Sequence, residues 1–284
     1  MFNVKPTIIL GGPGTGKTTK LISIVESEMS SGVKPERIAY VSFTRQAAYG
    51  ARKRMDLTEK QTPWFRTLHS MAFRRLGMSR TEVMDNEHYK KIASMLGMSF
   101  SGFVDLEAPA HGPEGNKCLA IIEYSRNTLQ DIKQAWNNHG GSIDWFKLKR
   151  FSDTLKQYKQ DVQLIDFTDM LEKFIQSETT IDVDVAIIDE AQDLTPLQWK
   201  LTTVAFKDCN KIYIGGDDDQ AIYKWNGADV DTFINLKGRR KVLKQSHRVP
   251  RKPFEVADKI IKKITNRVDK EYYPKDEDGS VRHC

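Results

Sequence analysis

At 284 residues, with 44 Lys and Arg against 38 Asp and Glu, the chain can bury a sizeable core in one large or two modest domains, and its formal net charge of +6 leans toward a polyanionic partner. Three cysteines, Cys118, Cys209 and Cys284, have an odd count and no metal-ligand spacing, which argues against a disulfide framework and for a reducing compartment. No run approaches the roughly 18 apolar residues of a membrane span, and the amino terminus lacks a signal-peptide pattern, so a soluble protein of the cytoplasm with no membrane partner is expected.

The first element is the β-branched run "TIIL" (7–10), followed by the glycine-rich "GGPGTGKT" (11–18) and a helical pattern. Strand, glycine loop and helix in that order form the context of a phosphate-binding P-loop. The glycines at 11, 12, 14 and 16 permit the turn and let backbone N–H groups approach phosphate oxygens at a helix N-terminus, where the dipole also favours anions. Lys17 is placed to reach the β- and γ-phosphates and the Thr18 hydroxyl to hold Mg²⁺; Gly12, Gly14, Thr15, Gly16 and Thr19 complete the candidate phosphate cradle. A nucleoside triphosphate is therefore the expected ligand. The coupled work stays open at this point, because kinases, GTPases, transporters and motors share the loop.

Further strand-like runs follow at "RIAYVSF" (37–43), "VAIID" (185–189), "KIYIGG" (211–216) and "KVLKQ" (241–245), several trailed by helix-like segments. That alternation reads as α/β, a parallel sheet of the P-loop type. The stretch from Met78 to Gln163 is largely helical in pattern, contains the loop-rich "EAPAHGPEGN" (107–116), and reads as a helical insertion between strands. In "VAIIDEAQDLTPLQW" (185–199) an apolar strand delivers Asp189 and Glu190 at its carboxyl end, the edge where ligands sit in parallel sheets. Asp189 suits Mg²⁺, and Glu190 suits the orientation or deprotonation of an attacking water. A last helix-like segment is "PFEVADKIIKKI" (253–264), before a charged, turn-rich stretch to residue 284.

"DEAQD" (189–193), "IGGDDDQAIYKWNGA" (214–228) and "LKQSHR" (243–248) resemble, in order and spacing, motifs II, III and IV of UvrD/Rep-like superfamily 1 DNA helicases. "SFTRQAAYGARKRM" (42–55) looks like motif Ia, "TLHSMAFRRL" (67–76) like motif Ib, and "LIDFTDML" (164–171) is similar to the family's return segment after its helical insertion. The resemblance implies a RecA-like P-loop NTPase domain over residues 1–77 and 164–247, with a helical insertion subdomain at 78–163. Residues 248–284 are then the hinge and start of a truncated second RecA-like domain, because motifs V and VI are not found.

The same resemblance implies roles. Gln220 senses the γ-phosphate, Arg248 neutralises charge on the γ-phosphoryl group as an arginine finger does, and His247 stands where relatives stack a tyrosine on adenine. With Lys17 and Glu190, these give the catalytic set Lys17, Glu190, Gln220 and Arg248. Phe43, Tyr223 and Trp225 match the aromatics that stack on successive bases of a single strand, and Thr44, Arg45 and His69 complete the candidate DNA-binding set. Two positions depart from the family. Asn226 replaces an arginine, and only residues 1–6 precede the first strand, where relatives carry a glutamine-bearing motif that reads adenine.

The expectation is an ATP- and Mg²⁺-dependent DNA helicase or translocase, moving 3′ to 5′ on single-stranded DNA or DNA with a single-stranded tail. Its second RecA-like domain would come from C-terminal sequence or a partner chain. The competing expectation is a module that binds ATP and single-stranded DNA without productive turnover alone. A P-loop small-molecule kinase is disfavoured, since it has no use for the motif III aromatics.

Overall fold

The structure, a computed structural model, describes residues 2–42, 45–102, 112–139 and 141–282. In chain order it begins β1 (Thr7–Gly11), α1 (Lys17–Ser30), β2 (Ile38–Val41), α2 (Arg45–Arg54), β3 (Phe65–Arg66) and α3 (Leu68–Arg75). Four helices follow, α4 (Asn86–Met95), α5 (Glu114–Asn127), α6 (Ile132–Asn138) and α7 (Trp145–Val162). The chain then returns through α8 (Phe167–Gln176), β4 (Val185–Ile188), α9 (Pro196–Ala205), β5 (Lys211–Gly216), α10 (Val230–Asn235) and β6 (Arg239–Leu243). It closes with β7 (Gln245–Pro250), α11 (Arg251–Ile261) and β8 (Tyr273–Lys275).

The α/β expectation holds. Six strands form one sheet in the order β3-β2-β4-β5-β1-β6, and every neighbouring pair is parallel. All strands therefore end at one edge, and the loops after β1, β4 and β5 leave from it side by side. β2 and β4 are buried along their whole length, as strands covered on both faces must be. Alternate side chains feed two cores. Ile8 and Leu10 pack with Phe174, Leu201, Phe206 and Phe233 on one face, while Ile9 packs with Leu21 and Val25 of α1 on the other.

Helix ends explain where the strand-to-helix switches fall. Thr195 caps α9 by accepting from Gln198 N–H, with the Gln198 side chain returning the bond and Pro196 fixing the first turn. Asp166 and Asp169 form the same reciprocal box at the start of α8. The helices α4 to α7 enclose a core of their own around Ile92, Cys118, Leu148 and Phe151.

Some local expectations are corrected. Of the expected loop at 107–116, residues 107–111 lie outside the described residues, but Glu114 to Asn116 form the first turn of α5 rather than loop. Pro113 supplies its extended start and Glu114 faces the positive helix end. Gly115 belongs in that turn because any side chain there would meet Ser99 O at 3.0 Å. The strand expected at 241–245 starts two residues early at Arg239 and ends at Leu243, Gln245 opening β7 instead. Its exposed Arg239, Arg240 and Lys241 suit a sheet edge and hide the strand pattern. α11 begins at Arg251 rather than Pro253 and stops at Ile261, before the expected 264. Short β3, and β8 within the turn-rich tail, carry no strand signal of their own and form by pairing in parallel with β2 and β7.

Candidate functional site

Between β1 and α1 the chain turns through Gly14 and Gly16, both in the left-handed region at φ 73° and 82°. A side chain at Gly14 would also strike Arg248 Cβ at 2.3 Å, so the close approach of β7 to the loop requires glycine there. No side chain caps α1, which leaves its first N–H groups and the positive end of the helix dipole facing the loop. Lys17 is buried and its Nζ donates to Gly11 O at 2.7 Å, while Thr15 Oγ1 donates to Gly12 O at 2.9 Å. Thr19 is exposed on the helix.

At the end of β4, Asp189 is buried and accepts from Thr18 Oγ1 at 3.2 Å and Tyr40 OH at 2.6 Å. Burial pushes its carboxyl above the ordinary range, against the pull of the Tyr40 bond. A hydroxyl and a carboxylate brought together at a phosphate loop are hard oxygen donors of the kind Mg²⁺ prefers, so the residues present fit that ion. Glu190 sits in the left-handed region at φ 54°, a costly backbone for a non-glycine residue and one that recurs at functional turns.

From Glu190 a hydrogen-bonded path crosses to the next strand. Gln192 Nε2 donates to Glu190 Oε2 and to Asp193 Oδ2, each at 3.0 Å, and Gln192 Oε1 accepts from Asp217 N–H at 3.0 Å. Asp217 Oδ2 then accepts from Gln220 Nε2 at 2.6 Å. Gly216 makes room for this path, since a Cβ there would lie 2.7 Å from Gln192 Oε1. Burial, reinforced by Glu190, pushes the Asp193 carboxyl up to about 7. Sequence reasoning singled out Glu190 and Gln220 but missed Gln192 and Asp217, which join them.

β7 is stitched to the P-loop from above. His247 N–H donates to Gly14 O at 2.9 Å and Ser246 Oγ to Pro13 O at 2.8 Å. The side chains of His247 and Arg248 are exposed, and Arg248 makes no ion pair among the described residues. The structure thus gathers Lys17, Thr18, Asp189, Glu190, Gln220, His247 and Arg248 around one loop.

The other candidate residues divide. Phe43 and Thr44 lie outside the described residues. Tyr223 and Trp225 are half-buried on the loop beyond Gln220, with ring centroids 6.1 Å apart at 57°. Arg45 and His69 instead line a separate groove of about 790 Å³, together with Arg52, Arg66, Arg80, Tyr49, Phe73 and Phe167. Burial pushes the His69 imidazole down to about 4, so it is neutral at neutral pH. Its ring meets Phe167 edge-on at 5.9 Å. Phe167 is 56% exposed at the first position of a strongly amphipathic helix. An aromatic at a solvent-facing position is the signal that could have singled it out within "LIDFTDML".

An all-parallel sheet that presents a P-loop, a carboxylate pair and the polar loop after β5 at one edge defines a RecA-like P-loop NTPase domain. The chain belongs to the UvrD/REP helicase N-terminal domain family, whose model matches residues 2–241. It is 24% identical to a probable DNA helicase II homolog of Mycoplasma capricolum, covering 97% of this chain and 41% of that protein. It is 23% identical to the ATP-dependent DNA helicase PcrA of Bacillus subtilis and 25% identical to DNA helicase II of Escherichia coli, in both cases over 96% of this chain and 40% of the relative. The chain therefore spans about 40% of the length of these relatives. Among the described residues no helix is long and apolar enough to cross a membrane.

Proposed function

We propose that this chain binds Mg²⁺·ATP at the P-loop and single-stranded DNA across the adjoining sheet edge, and couples ATP hydrolysis to 3′-to-5′ movement along the strand. In this reading residues 1–77 and 164–247 are the ATPase domain, 78–163 an insertion, and Arg248 faces a second RecA-like domain. Lys17 binds phosphate, Thr18 and Asp189 hold Mg²⁺, Glu190 activates water and Gln220 senses the γ-phosphate.

The observation that carries the reading is the path Glu190–Gln192–Asp217–Gln220. It links the candidate base to the sensor, and the sensor loop continues directly into Tyr223 and Trp225, a short route from phosphate chemistry to base stacking. The groove with exposed Arg45, Arg80 and Phe167 adds cations and an aromatic face, the two components of sequence-tolerant single-strand binding, while its Arg52 and Arg66 are paired with Glu59.

The deciding measurement is ATP hydrolysis by residues 1–284 with and without single-stranded DNA, with Lys17→Ala as the control. DNA-stimulated hydrolysis that Lys17→Ala abolishes supports the motor. ATP and DNA binding without hydrolysis supports the alternative, a binding module that does not turn over alone. Unchanged ATP affinity in a folded Lys17→Ala protein removes the P-loop assignment.

A further inference from the structure

The loop after β5 carries three consecutive carboxylates, Asp217, Asp218 and Asp219, all buried as side chains. Three like charges at one strand end repel one another and each resists desolvation. Their compensation comes from a segment far along the chain. Lys270 Nζ, fully buried, lies 3.3 Å from Asp217 Oδ1 and 2.9 Å from Asp219 Oδ2, and also pairs with Asp218 Oδ1. Arg267 clamps both oxygens of Asp219 at 2.8 and 2.7 Å, and Val268 N–H donates to Asp218 Oδ2 at 2.7 Å.

Asp217 is shared between this segment and the sensor. Its Oδ1 is occupied by Lys270 and by Tyr272 OH at 3.2 Å, and its Oδ2 accepts from Gln220 Nε2 at 2.6 Å. An ionised carboxylate can only accept, so it must be met by the amide N–H of Gln220. That bond uses one of the two amide N–H groups, and the second is the donor left for a γ-phosphate oxygen in the cavity of about 340 Å³ that Gln220 lines with Gly12, Pro13 and Thr15. Were Asp217 protonated, it could donate to the amide oxygen instead and turn the amide round. Burial pushes the Asp217 carboxyl upward, and the Gln220 hydrogen bond, then Lys270, pull it back. The Tyr272 ring also closes on the P-loop itself, 3.0 Å from where a Cβ on Gly12 would sit.

We propose that Lys270 is a positioning residue for the γ-phosphate sensor: by holding Asp217 Oδ1 it fixes the Gln220 amide with its second N–H toward the nucleotide, as a donor to the γ-phosphate, and so sets the preference for ATP over ADP. Tyr272 assists from the same segment. The inference rests on the reading of Gln220 as the sensor. A buried ion cluster alone could act only on folding, and the experiment must separate the two.

The test measures Mg²⁺-dependent binding of fluorescent ATPγS and ADP to the parent chain, Lys270→Met, Tyr272→Phe, Gln220→Ala and the two double variants with Gln220→Ala. Gln220→Ala should lower the ATPγS preference. Lys270→Met should lower it by about three- to tenfold in the parent background, the scale of one oriented hydrogen bond, and by less than about twofold in the Gln220→Ala background. Tyr272→Phe should follow the same pattern with a smaller loss, and it carries the comparison should Lys270→Met not fold. An equal loss in both backgrounds, or no loss in the parent, overturns the positioning role while leaving the sensor in place. A Gln220→Ala protein with unchanged preference overturns the sensor reading, and the inference with it.

Discussion

Thr18 Oγ1 donates to Asp189 Oδ2 at 3.2 Å, closing the start of α1 onto the end of β4. The two residues meet because β1 and β4 both flank β5 in parallel and end at the same edge. Mg²⁺ at this point would replace a hydroxyl-to-carboxylate bond with two oxygen contacts to the ion. Asp189→Asn keeps the shape and removes the charge, and should weaken Mg²⁺-dependent nucleotide binding by about tenfold or more while metal-free binding changes little. Titration of Mg²⁺ against ATP affinity checks this. Equal Mg²⁺ dependence in parent and variant would take Asp189 out of the ion site.

Glu190→Gln should retain Mg²⁺·ATP and lose hydrolysis by about 10²–10⁴-fold, because the amide keeps the side-chain size and removes the proton acceptor. The amide can turn its oxygen to Gln192 Nε2, so the path to Asp217 survives. Parallel measurements of ATP affinity and turnover, in the longest protein that hydrolyses ATP, separate the two effects. Turnover at the parental rate would end the catalytic assignment.

What could be read in advance depended on whether a residue's neighbours were close in sequence. The P-loop was legible because strand, glycines, Lys17 and Thr18 are contiguous and each answers a local demand of phosphate binding. β4 was legible because it is apolar on both faces. Lys270 was not, since nothing near "RVDKEYY" says that three aspartates from the loop after β5 will surround it. Gln192 was hidden in the same way, its partner Asp217 lying on another strand end. The edge strand β6 was blurred by its exposed charges, and α5 by a start at Pro113 that reads as loop.

The helical region carries a titration of its own. Arg126 and Lys159 bind Asp166 and Asp169, and Arg126 also binds Glu172. Beside them burial, with Asp166 adding repulsion, pushes Glu123 up from 4.5 to about 7. The native state thus holds a proton that the unfolded state has lost across that window, so Glu123 lowers stability progressively as pH rises from 4.5 toward 7. Glu123→Gln should flatten that decline and add roughly 1–3 kcal/mol at pH values above it. Thermal unfolding of both proteins across the window is the measurement. A steeper decline in the variant would reverse the sign of this account.

The aromatic pair Tyr223 and Trp225, on the loop beyond Gln220, gives the sharpest test of DNA binding. Tyr223 and Trp225 are half-buried, neither solvent-exposed like Phe167 nor part of a core cluster. Replacing both with alanine should therefore lower the unfolding temperature only slightly, whereas two core rings would cost about 3–5 kcal/mol each. Single-stranded DNA affinity should fall by about 1–3 kcal/mol per lost stack, nearly independently of base sequence. The salt slope should persist, because about −0.7 per neutralised phosphate comes from lysine and arginine, including exposed Arg45 and Arg80 of the separate groove. Binding isotherms at several salt concentrations, run with the unfolding curve, give all three quantities at once. A stable double variant with parental DNA affinity would confine strand binding to the groove beside His69 and Phe167. A variant with a reduced slope would show that the loop acts by organising cations, and base stacking would lose its place in the coupling.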